Sequence, residues 1–227
     1  MSLRDFVIKK CCLYLICFLA MAVSVFSQKD IPKEEYYQPF RESMKKAHDT
    51  SRRVVQQSKY YKNGALTGEV EYIYERQLPD KTRYVYISQS DGKTRKVEVI
   101  EIGSDYYCRK NDGEWTQSRK SCGIAGGGIG GPSDVLSSKF TVNNVKTDSG
   151  KAKLYTSYLT YKNTYSAHPD KESVFYWDNK FWLNKDGFVI REEFKRGLLN
   201  PLYVEAEESK TYEYKPNITI EAPIKQP

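Results

Sequence analysis

The stretch from Glu69 to Trp115, EVEYIYERQLPDKTRYVYISQSDGKTRKVEVIEIGSDYYCRKNDGEW, constrains the fold more than any other part of the chain. It holds four runs rich in β-branched and aromatic residues, divided at Pro79-Asp80, Asp91-Gly92, Gly103 and Asp112-Gly113. Those dividers supply hairpin turns, so the runs read as consecutive antiparallel strands. Alternation gives each strand two faces. Val70, Tyr72 and Tyr74 share one, and Glu69, Glu71, Ile73 and Glu75 share the other. Val85 and Ile87, then Val97 and Val99, are expected to continue the apolar set. Most carboxylates, Glu98 and Glu101 among them, are expected on a wet face that keeps the sheet soluble.

The rest of the chain builds onto this meander. Before it, Pro32 followed by KEEYYQPFRESMKKAHDTSRR predicts a helix from near Lys33, with acidic residues in its first turn and Lys45 and Lys46 near its end. Pro39 is a place for a kink. Tyr36, Tyr37, Phe40, Met44 and Ala47 recur at helical spacing, and the sheet that follows is the expected packing partner. Strands are predicted at Val54 to Tyr61 and Leu66 to Gln77, joined through Asn63-Gly64. After Trp115 comes SRKSCGIAGGGIGGPSD, which has neither the flanking strand and helix nor the Lys-Ser or Lys-Thr of a phosphate loop and reads as a mobile loop or lid. Ser133, behind Pro132, is a plausible N-cap for a short helix through Phe140. Six further strands are predicted, at Thr141 to Thr147, Lys151 to Lys162, Ser173 to Asn184, Phe188 to Arg196, Tyr203 to Tyr214 and Asn217 to Ala222. About eleven strands and two helices result, with no repeat of solenoid or propeller length.

Arg4, Lys9 and Lys10 precede the apolar run Cys11 to Phe26, the pattern of a secretory signal peptide over residues 1–27. Residues 28–227 are then expected to form a single exported domain, periplasmic or secreted and soluble. None of Cys11, Cys12 and Cys17 is framed as a lipid-modified cysteine. Cys108 and Cys122 remain, and in an exported protein they are expected to form a disulfide, with free thiols as the alternative. The formal charge of the whole chain is +7, and three basic residues and one acidic residue lie in the first 27. The remaining cations are scattered among glutamates, so nucleic acid is not an expected partner, while loose contact with anionic lipid surfaces is compatible with this balance.

Little in the sequence points to catalysis. The chain has two histidines, His48 at a helix end and His168 in a turn, and no HExxH or CxxC spacing. No catalytic residue, metal site or cofactor is expected, and the protein is read as a non-enzyme. Paired carboxylates leave an exported hydrolase as a third reading.

Several segments together resemble the superfamily of periplasmic lipoprotein and lipid carriers typified by LolA, LolB and LppX. They are SRRVVQQSKYYKNG, the E-x-Y-x-x-E-R-x-x-PDKTRYV stretch, EVIEIGSDYYCRKNDGEW, FWLNKDGFVIREE and YEYKPNITIEAP. The resemblance implies a mainly β (α+β) fold, a strongly curved antiparallel half-open β-barrel. Its concave face would be covered by the N-terminal helix and the short mid-chain helix. It also implies a cavity for lipid or lipoprotein acyl chains, membrane-bound donor and acceptor proteins, transient membrane contact and a monomer. Val70, Tyr72, Tyr74, Val85, Ile87, Val97 and Val99 are the expected cavity wall. Simple core packing of the same residues is the competing reading, and a structural or protein-interaction module with a filled interior is the competing function.

Overall fold

The computed structural model describes residues 28–117, 122, 134–162, 173–200 and 202–224. The elements are β1 (Lys29–Asp30), α1 (Lys33–His48), β2 (Arg52–Lys62), β3 (Ala65–Gln77), β4 (Lys81–Ser90), β5 (Lys93–Ile102), β6 (Asp105–Lys110), β7 (Asp134–Thr147), β8 (Gly150–Lys162), β9 (Val174–Asn184), β10 (Val189–Leu199) and β11 (Leu202–Tyr214). The expected signal peptide and the glycine run lie outside the described residues.

The dividers seen in the sequence act as turns. Asn63 and Gly64, at φ 52° and 79°, and Asp91 and Gly92, at 49° and 70°, form two-residue hairpins in the left-handed region that matches strand twist. Two antiparallel meanders result, β2 to β6 and β7 to β11, and β11 pairs with β2 to fuse them. The single sheet has the order β1-β7-β8-β9-β10-β11-β2-β3-β4-β5-β6. Its outermost strands β1 and β6 do not pair with each other, so the sheet curls without closing. This is a half-open barrel with an N-terminal helix.

α1 carries Glu34 and Glu35 in its first turn and Lys45, Lys46 and His48 in its last, complementing the helix dipole at both ends. It runs through Pro39. Tyr36 and Ala47 are buried along its apolar side, with Tyr37, Phe40 and Met44 packed beside them. The partner differs from the expected one. α1 packs against β7, β8 and β10, whose Phe140, Tyr155 and Val189 join Phe181 of β9 in one core cluster with Tyr36. Tyr155 and Phe181 stack with ring centroids 4.7 Å apart, and Tyr36 meets Phe181 edge-on at 5.2 Å.

Two expected elements are corrected. Asp134 to Phe140, expected within a short helix, is the first half of the 14-residue strand β7, paired with β8 from Asp134↔Lys162 onward. A helix of two turns gains little on its own, whereas a strand beside β8 gains a full ladder. Asn217 to Ala222, expected as a strand, is not part of the sheet. Its burial still alternates, and Ile218 and Ile220 pack on Ile100 and Tyr107, but Ile220 is held by side chains: its N–H donates to Gln77 Oε1 at 2.9 Å and its carbonyl accepts from Lys81 Nζ at 3.0 Å. The two-residue β1 brings the number of strands to eleven by a different membership.

Cross-strand partners share a face, so the register sorts the sheet into two. The face against α1, here the inner face, carries the row Tyr212, Val54, Tyr74, Tyr84, Val99 and Cys108 across β11 and β2 to β6. One residue along, the outer row is Glu213, Arg53, Glu75, Arg83, Ile100 and Tyr107. Glu75 and Glu98 do not sit on a wet face as expected; both are buried. Arg53 Nε donates to Glu75 Oε1 at 2.7 Å, Arg83 spans Glu75 and Glu98 at 3.4 and 2.6 Å, and Arg109 closes on Glu98 at 2.7 Å. Each buried carboxylate is thus flanked by two guanidinium groups that stay partly in water, the arrangement that makes burial of charge tolerable.

Candidate functional site

The inner face is only partly roofed. α1 starts beside Phe140, where Ile31 N–H donates to the Phe140 carbonyl at 2.9 Å, and ends beside the β9–β10 turn, where Lys46 reaches the Asp186 carbonyl and lies 4.4 Å over the Phe188 ring. Between its first turns and the sheet lies a cleft of about 450 Å³. Lys33 and Tyr37 of α1 form one wall; Val135, Ser138 and Phe140 of β7, Ser157 and Leu159 of β8, and Trp177 and Asn179 of β9 form the other. All the strand residues come from the inner face, by the register of Phe140↔Ser157, Ser138↔Leu159 and Leu159↔Trp177.

The cleft continues into an aromatic wall. Trp177 meets Phe194 edge-on at 5.0 Å and lies 6.3 Å from Tyr161, which stacks on Phe175 at 5.8 Å. Burial raises the phenol pKa of Tyr36, Tyr37, Tyr155 and Tyr161, so these rings are neutral near pH 7. Farther across the sheet the inner face turns polar. Gln56 donates to Glu208 at 2.8 Å, Lys210 pairs with Glu208 at 2.8 Å, and the Tyr212 hydroxyl donates to Glu192. A larger, open depression of about 880 Å³ lies at the other end of the sheet among the β7–β8 and β9–β10 turns, with Lys146, Lys151, Lys153 and Lys185 on its walls.

The seven residues expected to line a cavity separate into two groups. Val70, Tyr72, Tyr74, Val97 and Val99 lie on the inner face, and Val85 and Ile87 lie on the outer face, because Val85 pairs with Ile73 and Glu98 while Tyr84 and Tyr86 pair with Val99 and Val97. The sequence reading placed apolar positions of successive strands together without fixing the register; a one-residue offset reverses the face. None of the seven is among the residues lining the cleft at α1. Val97 and Val99 are buried with the Cys108–Cys122 disulfide, beside Tyr84, Tyr86 and Tyr106. The cleft residues were missed. Leu159 and Trp177 lie on strands the sequence revealed, but nothing local marks which strands α1 covers, and Phe140 falls in the half of β7 that was expected as a helix.

Among the described residues no group of three or more His, Cys, Asp or Glu could hold a metal ion, and no helix is long and apolar enough to cross a membrane.

The architecture is thus an unclosed antiparallel sheet with α1 laid over a mostly apolar cleft. Solved structures similar to this chain include the following three. The lipoprotein LppX of Mycobacterium tuberculosis is 11% identical with a TM-score of 0.45, over 84% of this chain and 100% of that one. LprF of Mycobacterium bovis is 11% identical with a TM-score of 0.44, over 85% and 98%. A putative outer membrane lipoprotein-sorting protein domain of Vibrio parahaemolyticus is 10% identical with a TM-score of 0.27, over 82% and 94%. No family model and no curated protein matches the chain.

Proposed function

We propose that residues 28–227 form an exported, non-enzymatic carrier or binder of lipids or lipoprotein acyl chains, released from a signal peptide at residues 1–27. The cleft of about 450 Å³ between α1 and the inner face carries this reading. Its size is within the range of small-molecule sites, and its lining is mostly apolar with a few polar groups. An acyl chain entering it packs against Tyr37, Phe140, Leu159 and Trp177. Contact with α1 is exchanged for contact with ligand, and burial of either covers apolar area at about 25 cal/mol per Å². That balance favours handover over permanent capture. Tyr72 and Tyr74 extend the inner face beyond the polar belt and offer a second wall for a longer or branched ligand.

The test is native mass spectrometry with lipid extraction of protein purified from its own envelope. Co-purifying acyl species are expected, and Leu159→Glu is expected to abolish uptake of a fluorescent fatty acid while the fold persists. Recovery of no acyl species, together with no uptake by the delipidated protein, overturns the carrier reading in favour of an interaction module.

A further inference from the structure

Among the described residues the cleft lining contains no carboxylate and one cation, Lys33, which forms no ion pair with any of them. A second cation stands at its edge. Arg196 of β10 is the register partner of Trp177, so it lies one strand beyond the cleft wall on the same face. It is half-buried, its Nε is fully buried, and among the described residues that Nε has no hydrogen-bond partner and the side chain forms no ion pair. Glu205 shares its electrostatic neighbourhood around Tyr161 without pairing to it. Arg191, on the same strand, behaves differently: it is matched to Glu193 and lies 5.1 Å over Trp182. An N–H left orphaned inside an aromatic wall carries a desolvation penalty, which a ligand acceptor removes.

We propose that Arg196 is the headgroup site of the cleft, and that the ligand is an anionic amphiphile whose carboxylate or phosphate pairs with Arg196 while its acyl chain lies over Trp177 and Leu159. This rests on the carrier reading and adds the charge of the ligand to it. Arg196 presents a planar fork suited to a carboxylate or phosphate, and the aromatic surroundings strengthen the pair by excluding water. Lys33, on the helical wall, adds attraction for the same sign of charge. A cationic headgroup leaves Arg196 Nε unpaired, and a neutral one offers only an uncharged acceptor, so both bind less well.

The experiment is isothermal titration of the delipidated full mature chain with dodecanoate, dodecyl phosphate, dodecanol and dodecyltrimethylammonium, with inorganic phosphate alone as a further arm. A charge-assisted hydrogen bond predicts that the two anionic ligands bind about tenfold or more tighter than dodecanol. Arg196→Gln is expected to bring the anionic preference over dodecanol down to about threefold or less, the remainder owed to Lys33, and Arg196→Lys to restore part of the preference. Wild-type binding of dodecanol equal to that of dodecanoate overturns the headgroup inference and leaves the carrier reading standing. Retention of the full anionic preference by Arg196→Gln also overturns it. Inorganic phosphate binding as tightly as dodecyl phosphate makes the free anion the ligand and removes the acyl half of the proposal, and binding of none of the probes overturns both readings.

Discussion

Tyr214 shows how single side chains tie this sheet together. Its hydroxyl donates to the Val189 carbonyl at 2.8 Å, its ring packs 4.3 Å from Phe188, and burial pushes its pKa up to about 12. The folded value lies above the roughly 10 of an exposed tyrosine, so the neutral phenol is favoured by folding. Its contribution is complete below about pH 10 and disappears as the pH rises toward about 12, because the unfolded chain releases the proton first. Urea midpoints are expected to fall between about pH 10 and 12 as this group ionises. Tyr214→Phe is expected to lower stability at pH 8 through the lost hydrogen bond and to make the alkaline decline shallower; an unchanged slope contradicts the assignment. Residue-scale facts of this kind were the least legible in the sequence. Glu75 and Glu98 stand in alternation with apolar neighbours and look like wet-face carboxylates. Only the cross-strand placement of Arg53, Arg83 and Arg109 reveals why they are buried. For Glu98, burial alone pushes the pKa up, and the hydrogen bonds from Arg109 and Arg83 outweigh it and hold the carboxyl below its ordinary value.

The elements were easier to read than their partners. Strands β2 to β5 and β8 to β11 were legible because Asn63-Gly64, Asp91-Gly92 and Gly187 take positive φ and mark their ends. The start of β7 was not, since Pro132 and Ser133 resemble a helix entry and the pairing with β8 that overrides it is not local. The helix itself was legible from its periodicity, but its fastening was not. Ser43, fully buried in the middle of α1, accepts the Val189 N–H at 2.7 Å, so one hydroxyl pins the helix to the first residue of β10. A serine in a helix interior ordinarily reads as a neutral surface residue. Ser43→Ala leaves that backbone N–H without an acceptor in a dry contact and is expected to cost about 1–3 kcal/mol in denaturant unfolding. Ser43→Thr, which keeps the hydroxyl, is expected to recover part of the loss unless the added methyl clashes. If Ser43→Ala unfolds at the wild-type midpoint, the pin contributes nothing and α1 is held by its apolar face alone.

At the scale of the whole molecule, the decisive joint is the β11–β2 pair, which sets two sequential meanders side by side in one sheet. Neither meander announces that joint, because it pairs a strand near the N-terminus with the last strand of the chain. The same joint carries α1 away from the meander that follows it and onto β7, β8 and β10. The helix is therefore attached to the sheet by one apolar face, the Ser43 pin and contacts at its C-terminal end, whereas β3 and β4 are hydrogen-bonded along both edges. Opening of α1 breaks fewer contacts than opening of the sheet centre, so its amides are expected to exchange faster than those of β3 and β4. Binding in the cleft acts on the same equilibrium from one side. Lys33 and Tyr37 belong to the first turns of α1, and Val135, Phe140, Ser157 and Leu159 to the facing strands, so dodecanoate is expected to slow exchange in residues 33–41, 135–142 and 157–161. Exchange in β3 and β4 is expected to stay unchanged with this short ligand. Protection spread evenly over the sheet, or confined to the lysine-lined depression at the other end, places the binding site away from α1.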